Sequence, residues 1–245
     1  MSEYQFYEFR SIDKPLTKEE QNNIKDWSSR AKVNSSSAIF TYSYKDFSQD
    51  EQRVIQKYFD AMFYIANWGA KRIVFKFPTE LINIEEIKKY CNDEEFSIII
   101  NNKKNILIDF NFSEDEPEDD FIEGEGYLSS IISLRDDIMN GDYRCLYLAW
   151  LKTSNNAINS EIPIPNGLNK LNSSLQSFIE LLNIDKKLLS VAIKSSKDND
   201  NNTDYQFENL IKGLTDEEKN SFLLRLVKGE TLLTQKLIKR LKTNL

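Results

Sequence analysis

Histidine is absent from this sequence of 245 residues. Histidine is the side chain that most often acts as a general base near neutral pH, and it is the commonest metal ligand. Catalytic mechanisms of the Ser-His-Asp and Cys-His kinds are therefore excluded. The only two cysteines, Cys91 and Cys145, are too few for a four-cysteine zinc site and form no CxxC pair.

Glycine is scarce as well, with seven residues in the whole chain. None of them stands in a GxGxxG or GxxxxGK(S/T) arrangement, the patterns in which a loop brings backbone amides around a phosphate group. Nucleotide binding through these motifs is not predicted. We expect no cofactor and no catalytic residue.

Long apolar runs are also missing. The longest, such as residues 96–100, fall far short of the roughly 20 apolar residues that a membrane-spanning helix requires. Residues 1–6 lack the basic region and apolar stretch of a secretory signal, and two cysteines make a poor disulfide framework. We therefore expect a soluble cytoplasmic protein with reduced thiols that does not bind a membrane.

The charges of the chain are unevenly distributed around a formal net charge of -7. Residues 113–142 hold eleven carboxylates and a single arginine, whereas residues 225–245 hold six basic side chains and one glutamate. The chain is thus electrically polarised rather than uniformly acidic. Each charged segment is a candidate surface for a partner of opposite charge.

The acidic segment 113–126 has neither helical nor strand periodicity and is interrupted by Pro117, which predicts a loop. Such a run of charge is ordinarily a solvated loop; the alternatives are a binding surface for a basic partner and a site for a hard cation such as Mg²⁺. Its order of carboxylates does not match an EF-hand. The candidate partner-binding residues are Glu114, Asp115, Glu116, Glu118, Asp119 and Asp120.

A basic amphipathic helix is predicted near the end of the chain, at residues 231–242. Leu233, Leu237 and Leu241 recur at helical spacing, with basic side chains around them. Such a helix meets an acidic partner or lies on a membrane, or it packs its apolar stripe on the core and leaves its lysines in water. The candidate partner-binding residues here are Lys236, Lys239 and Arg240.

Asp109 is the one weak candidate for a metal ligand. On the predicted strand 105–112 it shares a half-solvated face with Leu107 and Asn111, and the strand leads into the acidic segment. This placement resembles the carboxylates of metal-dependent nucleases of the PD-(D/E)xK type, although no Glu-x-Lys follows on an adjacent strand. The alternative function is therefore a metal-dependent enzyme that uses carboxylates on nucleic acid or phosphoesters.

The hydrophobic periodicity changes midway along the chain, from alternating strands and helices to helical spacing almost throughout. Capping boxes begin predicted helices at Thr17, Ser48 and Thr215, and the second of these helices is predicted to carry residues 54–66 and end at Gly69. We predict an α+β fold, with a mixed or antiparallel N-terminal sheet and helices followed by a helical C-terminal half. The predicted organisation is an α+β sheet domain at 1–112, an acidic loop at 113–126 and a helical region at 127–245.

Several stretches resemble a widespread family of uncharacterised bacterial proteins. They are MSEYQFYEF at 1–9, YFDA at 58–61, ANWG at 66–69, LYLAWL at 146–151, IPIPNGL at 162–168, and the closing segment from EEK at 217–219 to GE at 229–230. The resemblance covers nearly the whole chain and implies a bacterial origin, but it brings no activity and no catalytic residue. Proteins of this kind occur in genomic company with SWIM-type zinc-finger proteins, which implies a link to nucleic-acid processing.

The polarised charge and the missing catalytic motifs favour a non-enzymatic interaction protein of the bacterial cytoplasm. We expect an accessory subunit of a nucleic-acid-processing or defence complex, with a protein as its partner. Direct binding of DNA or RNA is disfavoured, because the chain has a pI of about 5.0 and only its end is basic. The sequence leaves the oligomeric state and the partner's identity open.

Overall fold

The computed structural model describes residues 3–91, 95–99, 104–113, 124–153, 162–198 and 203–243. Within them one antiparallel sheet precedes a run of helices, which confirms the predicted α+β class. The strands are β1 (Gln5–Arg10), β2 (Lys32–Val33), β3 (Ser37–Tyr42), β4 (Ala61–Ala66), β5 (Ala70–Pro78), β6 (Phe96–Ile99) and β7 (Asn105–Ser113). The helices are α1 (Lys18–Lys25), α2 (Glu51–Tyr58), α3 (Ile84–Lys88), α4 (Tyr127–Ile131), α5 (Leu134–Met139), α6 (Arg144–Thr153), α7 (Ser173–Leu181), α8 (Lys186–Ser195), α9 (Thr203–Lys212), α10 (Asp216–Val227) and α11 (Leu233–Lys242).

The sheet of the described residues has seven strands in the order β2-β3-β1-β4-β5-β7-β6. Every neighbouring pair is antiparallel. β4 and β5 form a hairpin that turns at Gly69, whose φ of 92° lies in the left-handed region that favours glycine. A short 3-10 turn at Thr79–Leu81 follows β5 and carries the chain from the sheet to α3.

The sheet is buried on both faces. Phe63, Phe75 and Phe110 lie on the first face and share a core with the buried side chains of α4 to α8. On the second face, aromatic side chains of β1 and β3 pack against α1 and α2, which contribute Ile24 and Ile55. Because side chains alternate along a strand, a central strand covered on both faces is apolar at nearly every position.

This two-sided burial overturns one prediction, the helix that was to carry residues 54–66 and end at Gly69. The helix α2 ends at Tyr58, and the following apolar run forms β4 between β1 and β5. A segment that is apolar on every side fits either a buried helix or a strand covered on both faces. The pairing partners decide between them, and these lie elsewhere in the chain.

The start signals of the helices were predicted more reliably than their ends. The capping boxes of Thr17 with Glu20 and of Thr215 with Glu218 are both formed and confirm the predicted starts of α1 and α10. At α2 the cap is Asp50, whose side chain accepts from the amide of Arg53, rather than the predicted Ser48. The helix predicted to begin at Tyr127 and run to Met139 divides into α4 and α5.

A network of buried charges joins the sheet to the helical region. Asp60, which directly precedes β4, accepts from the backbone amides of Ile12 and Asp13 at 2.7 and 2.9 Å and pairs with Lys76 at 3.0 Å. The Arg135 side chain of α5 is only 1% exposed; it donates to the Lys76 carbonyl at 2.7 Å and to both carboxylate oxygens of Asp13 at 2.8 Å. Burial disfavours ionisation of Asp60, but Lys76, the two amides and Arg135 outweigh it, so its pKa is lowered.

Replacement of Arg135 should destabilise the protein strongly. In Arg135→Ala the Asp13 carboxylate loses both donors and the Lys76 carbonyl loses its only side-chain donor among the described residues. Removing one partner of a buried ion pair costs about 3–5 kcal/mol, and we expect a loss of this order in the free energy of unfolding measured with urea. Arg53→Ala is the control, because Arg53 is exposed and its pairing with Asp50 is long, at 3.5 Å. A loss of about 0.5 kcal/mol or less in both variants would contradict a structural role for Arg135.

Candidate functional site

The six acidic residues predicted to bind a partner, Glu114, Asp115, Glu116, Glu118, Asp119 and Asp120, lie outside the described residues. The described chain resumes at Gly124, which lies directly on the sheet. A Cβ atom at this position would come within 2.3 Å of the Phe6 ring. Gly124, inside the acidic segment, therefore packs its backbone closely against the Phe6 side chain of β1, a contact that only glycine permits.

Asp109 lies on the second face of the sheet and is held by an arginine. Arg72 donates to both of its carboxylate oxygens, from Nε at 2.9 Å and from Nη2 at 2.5 Å, and also pairs with Glu51 of α2. The face predicted to be half-solvated is largely covered here: Leu107 and Asp109 are buried, and only Asn111, near the end of the strand, is exposed. Within the described residues no group of three potential ligands is placed to hold a metal ion. Asp109 is thus engaged in an ion pair.

A second group of hydrogen-bonded polar side chains lies near this ion pair. Tyr7 and Tyr64 both donate to the side-chain oxygen of Gln5, at 2.9 and 3.3 Å. Burial raises the pKa of Tyr64 to about 12 and that of Tyr7 further, so both remain neutral hydrogen-bond donors. The pKa of Glu51 is also raised, because its burial outweighs the attraction of Arg72. The sequence did not indicate this cluster, since its members come together only through the pairing of β1, β4, β5 and β7 and the packing of α2 on the sheet.

The helix α11 is the predicted basic amphipathic helix, and its apolar side packs against the rest of the protein. Leu241 is 2% exposed, and Leu233 and Leu237 are half-buried. Two of the three candidate residues are bound by carboxylates of the chain itself. Lys236 pairs with Glu230 at 2.8 Å, and Arg240 donates to Glu218 at 2.8 and 2.5 Å.

Glu230, in the turn between α10 and α11, ties these two helices together. Its carboxylate accepts from Arg225 of α10 at 2.7 and 2.8 Å as well as from Lys236 of α11. These charged donors lower the pKa of Glu230 to about 2. The carboxylate is therefore ionised throughout the ordinary pH range and neutralises part of the basic surface.

The third candidate, Lys239, is not neutralised in this way. Its ammonium donates to the backbone carbonyl of Glu80, and that of Lys242, one turn further along α11, donates to the carbonyl of Asn140. Neither lysine has a carboxylate partner among the described residues. Lysines at i and i+3 project from the same side of a helix, so the two charges lie side by side.

Both lysines border a groove of about 470 Å³ between α11, the turn after β5 and the turn between α5 and α6. Apolar side chains dominate it, and of the described residues Glu85 is the one carboxylate that lines it. The apolar lining consists of Leu81, Ile82, Ile84, Met139, Tyr143 and Ile238. The arrangement can bind a ligand that is partly apolar and carries negative charge. We refer to it as the α11 groove.

The sequence indicated only part of the α11 groove. The basic helix and Lys239 were predicted, but the apolar lining comes from two stretches far away in the chain, 81–85 and 139–143. Neither stretch carries a motif. The amphipathic pattern of α11 indicated a surface, without showing which of its basic residues find carboxylates in the fold.

Comparisons of the chain with models of protein families, with curated proteins and with solved structures find no match. Among the described residues no helix combines the length and the apolar character needed to cross a membrane.

The acidity of Glu230 provides a test of the pairing between α10 and α11. Since the pKa of about 2 lies below the ordinary value, the pairing stabilises the fold fully above the ordinary glutamate pKa and is lost as the pH falls towards 2. We expect the carboxyl carbon resonance of Glu230, assigned by its loss in Glu230→Gln, to be that of an ionised group at pH 4. A short unstructured peptide with one glutamate serves as the reference, and its carboxyl group should be about half protonated there. Equal titration of Glu230 and the peptide would contradict the pairing.

Proposed function

We propose that this chain is a non-enzymatic interaction protein, an accessory subunit that binds an acidic and partly apolar segment of a protein partner in the α11 groove. The observation that carries the proposal is the pair Lys239 and Lys242. Their ammonium groups contact backbone carbonyls only, among the described residues, at the edge of an apolar groove.

The chemistry of the groove favours a peptide segment as its occupant. Its volume of about 470 Å³ is within the range of pockets that hold small ligands, which is room for a few side chains. Apolar side chains of the partner would cover Leu81, Ile82 and Ile238, and a neighbouring carboxylate would meet the lysines. Charge pairing at the rim of such a contact contributes mainly to specificity and to the rate of association.

Most of the other basic side chains of α10 and α11 are already paired, which supports a protein partner rather than nucleic acid. Arg225, Lys236 and Arg240 are paired with glutamates of the chain itself. A nucleic-acid surface needs several basic groups free to neutralise successive phosphates, and two adjacent lysines provide little of this. Membership of a nucleic-acid-processing or defence complex would then come through the protein partner.

The proposal predicts binding of a defined probe. A fluorescently labelled peptide of alternating leucine and glutamate should bind the protein at low salt, as measured by fluorescence anisotropy. The double variant K239E/K242E should bind it at least about tenfold more weakly, since attraction becomes repulsion. The single variant K212E is a control for the change of charge, because Lys212 is exposed at the end of α9 and does not line the groove.

A second arm connects the groove to a physiological partner. Affinity purification from the native host with the wild-type chain and with K239E/K242E should recover one protein in stoichiometric amount with the former and not with the latter. Both variants must first match the wild type in circular dichroism and melting temperature. Equal peptide binding by all three chains, together with equal capture, would show that the α11 groove is not the interface.

A further inference from the structure

The helix α10 exposes a surface that a helix normally buries. It contains no buried residue, although it lies wholly within the described chain. Four aliphatic side chains in its second half are largely in water: Leu223 is 60% exposed, Leu224 55%, Leu226 64% and Val227 85%. The inner side of the helix, at Glu218, Phe222 and Arg225, makes its contacts with the fold.

Exposed aliphatic side chains grouped on one element are typical of an interaction surface, whereas isolated ones are ordinary. Leu223, Leu224 and Val227 follow one another at i, i+1 and i+4, so they form a stripe along the outer side of α10. A second helix lying along this stripe would remove all three side chains from water. The chemistry of its flanks indicates which helix this is.

Two opposite charges stand on the same flank of the stripe. Glu217 and Lys228 are exposed, and neither forms an ion pair within the described residues. With a rotation of 100° per residue, Glu217, Leu224 and Lys228 lie within about 40° of one another around the helix. Lys228 follows Glu217 by eleven positions, which corresponds to about 16 Å along the axis. The acidic group is at the start of α10 and the basic group at its end.

We propose that α10 binds α10 of a second copy of this chain in antiparallel orientation. Measured along the helix axis, the midpoint between Glu217 and Lys228 falls at the level of Leu223. When two copies cross there, Glu217 of each lies opposite Lys228 of the other, and the two stripes meet between these ion pairs. A two-fold axis keeps equivalent flanks on the same side, so one geometry forms both pairs at once.

The contact is small, and this sets its strength. Stable dimers bury about 1,200–2,000 Å² of surface in total, and one pair of three-turn helices buries less than this. The dimer is therefore weak and forms in a concentration-dependent manner. The dimer contact is on α10, whereas the proposed binding site is the α11 groove. A failure of either proposal therefore leaves the other untouched.

Sedimentation velocity over a range of concentrations of the full chain tests the proposal. We expect the wild type to shift from monomer to dimer as its concentration rises, and Leu223→Arg to remain monomeric at the highest concentration reached by the wild type. Val191→Arg is the matched control, because Val191 is a similarly exposed aliphatic residue on α8, and it should dimerise like the wild type. Circular dichroism verifies that each variant is folded.

Charge exchange provides the sharper arm. E217K and K228E should each weaken the homodimer at least about tenfold, because each brings like charges together twice. An equimolar mixture of these two variants should dimerise like the wild type, since opposite charges then meet at both positions. A wild type that stays monomeric at every concentration overturns the proposal, as does a dimer that tolerates Leu223→Arg or a mixture that fails to recover. A heterologous occupant of the stripe would give the first of these results.

Discussion

The burial of Asp60 is the constraint on which the arrangement of sheet and helices depends. A carboxylate 4% exposed at the start of a central strand is tolerated only where charges and hydrogen bonds replace the water it has lost. Two backbone amides of the loop after β1 and the ammonium of Lys76 from β5 do this directly. Arg135 completes the network from α5, so the same group of charges fixes the end of β1, the hairpin of β4 and β5, and the first helices of the second half.

Such a network gives the interface between sheet and helices a defined position as well as stability. Hydrophobic side chains on the first face of the sheet would accept helices at a range of angles, because apolar contacts are not directional. The bidentate pairing of Arg135 with Asp13 is directional, and it allows one placement of α5 above β5. Phe77 lies 5.8 Å from the guanidinium carbon and adds a cation–π contact to the same placement.

The parts of the fold that the sequence predicts well are those governed by neighbouring residues. Thr17 and Thr215 begin helices because the residues that complete their capping boxes are three positions away. The alternation along β7 placed Ile106 and Ile108 in the core and Asn111 in water. The identity of β4 depends on strands far away in the chain, and its uniformly apolar sequence fits two structures equally well.

The same division applies to the candidate site. The basic character of α11 follows from composition, but the neutralisation of Arg240 depends on Glu218, 22 residues earlier. Glu218 also closes the capping box of α10, so one carboxylate serves a local and a distant contact. The sequence predicted the first contact and had no means of predicting the second. Lys239 and Lys242, the groove lysines without a carboxylate partner among the described residues, could be recognised only when every nearby carboxylate had been accounted for.

The separation of Asp13 and Arg135, 122 residues along the chain, has a consequence for folding during translation. The ribosome releases the strands β1 to β5 well before α5, and domains tend to fold in the order of their synthesis. Lys76 becomes available soon after Asp60, so an early sheet can already neutralise its buried carboxylate. The ion pair between Asp13 and Arg135 cannot form until α5 has been synthesised. Until then the first face of the sheet is still uncovered. The nascent protein therefore passes through an interval in which its phenylalanine-rich face is open to aggregation, and a chaperone that covers that face would be needed most during this interval.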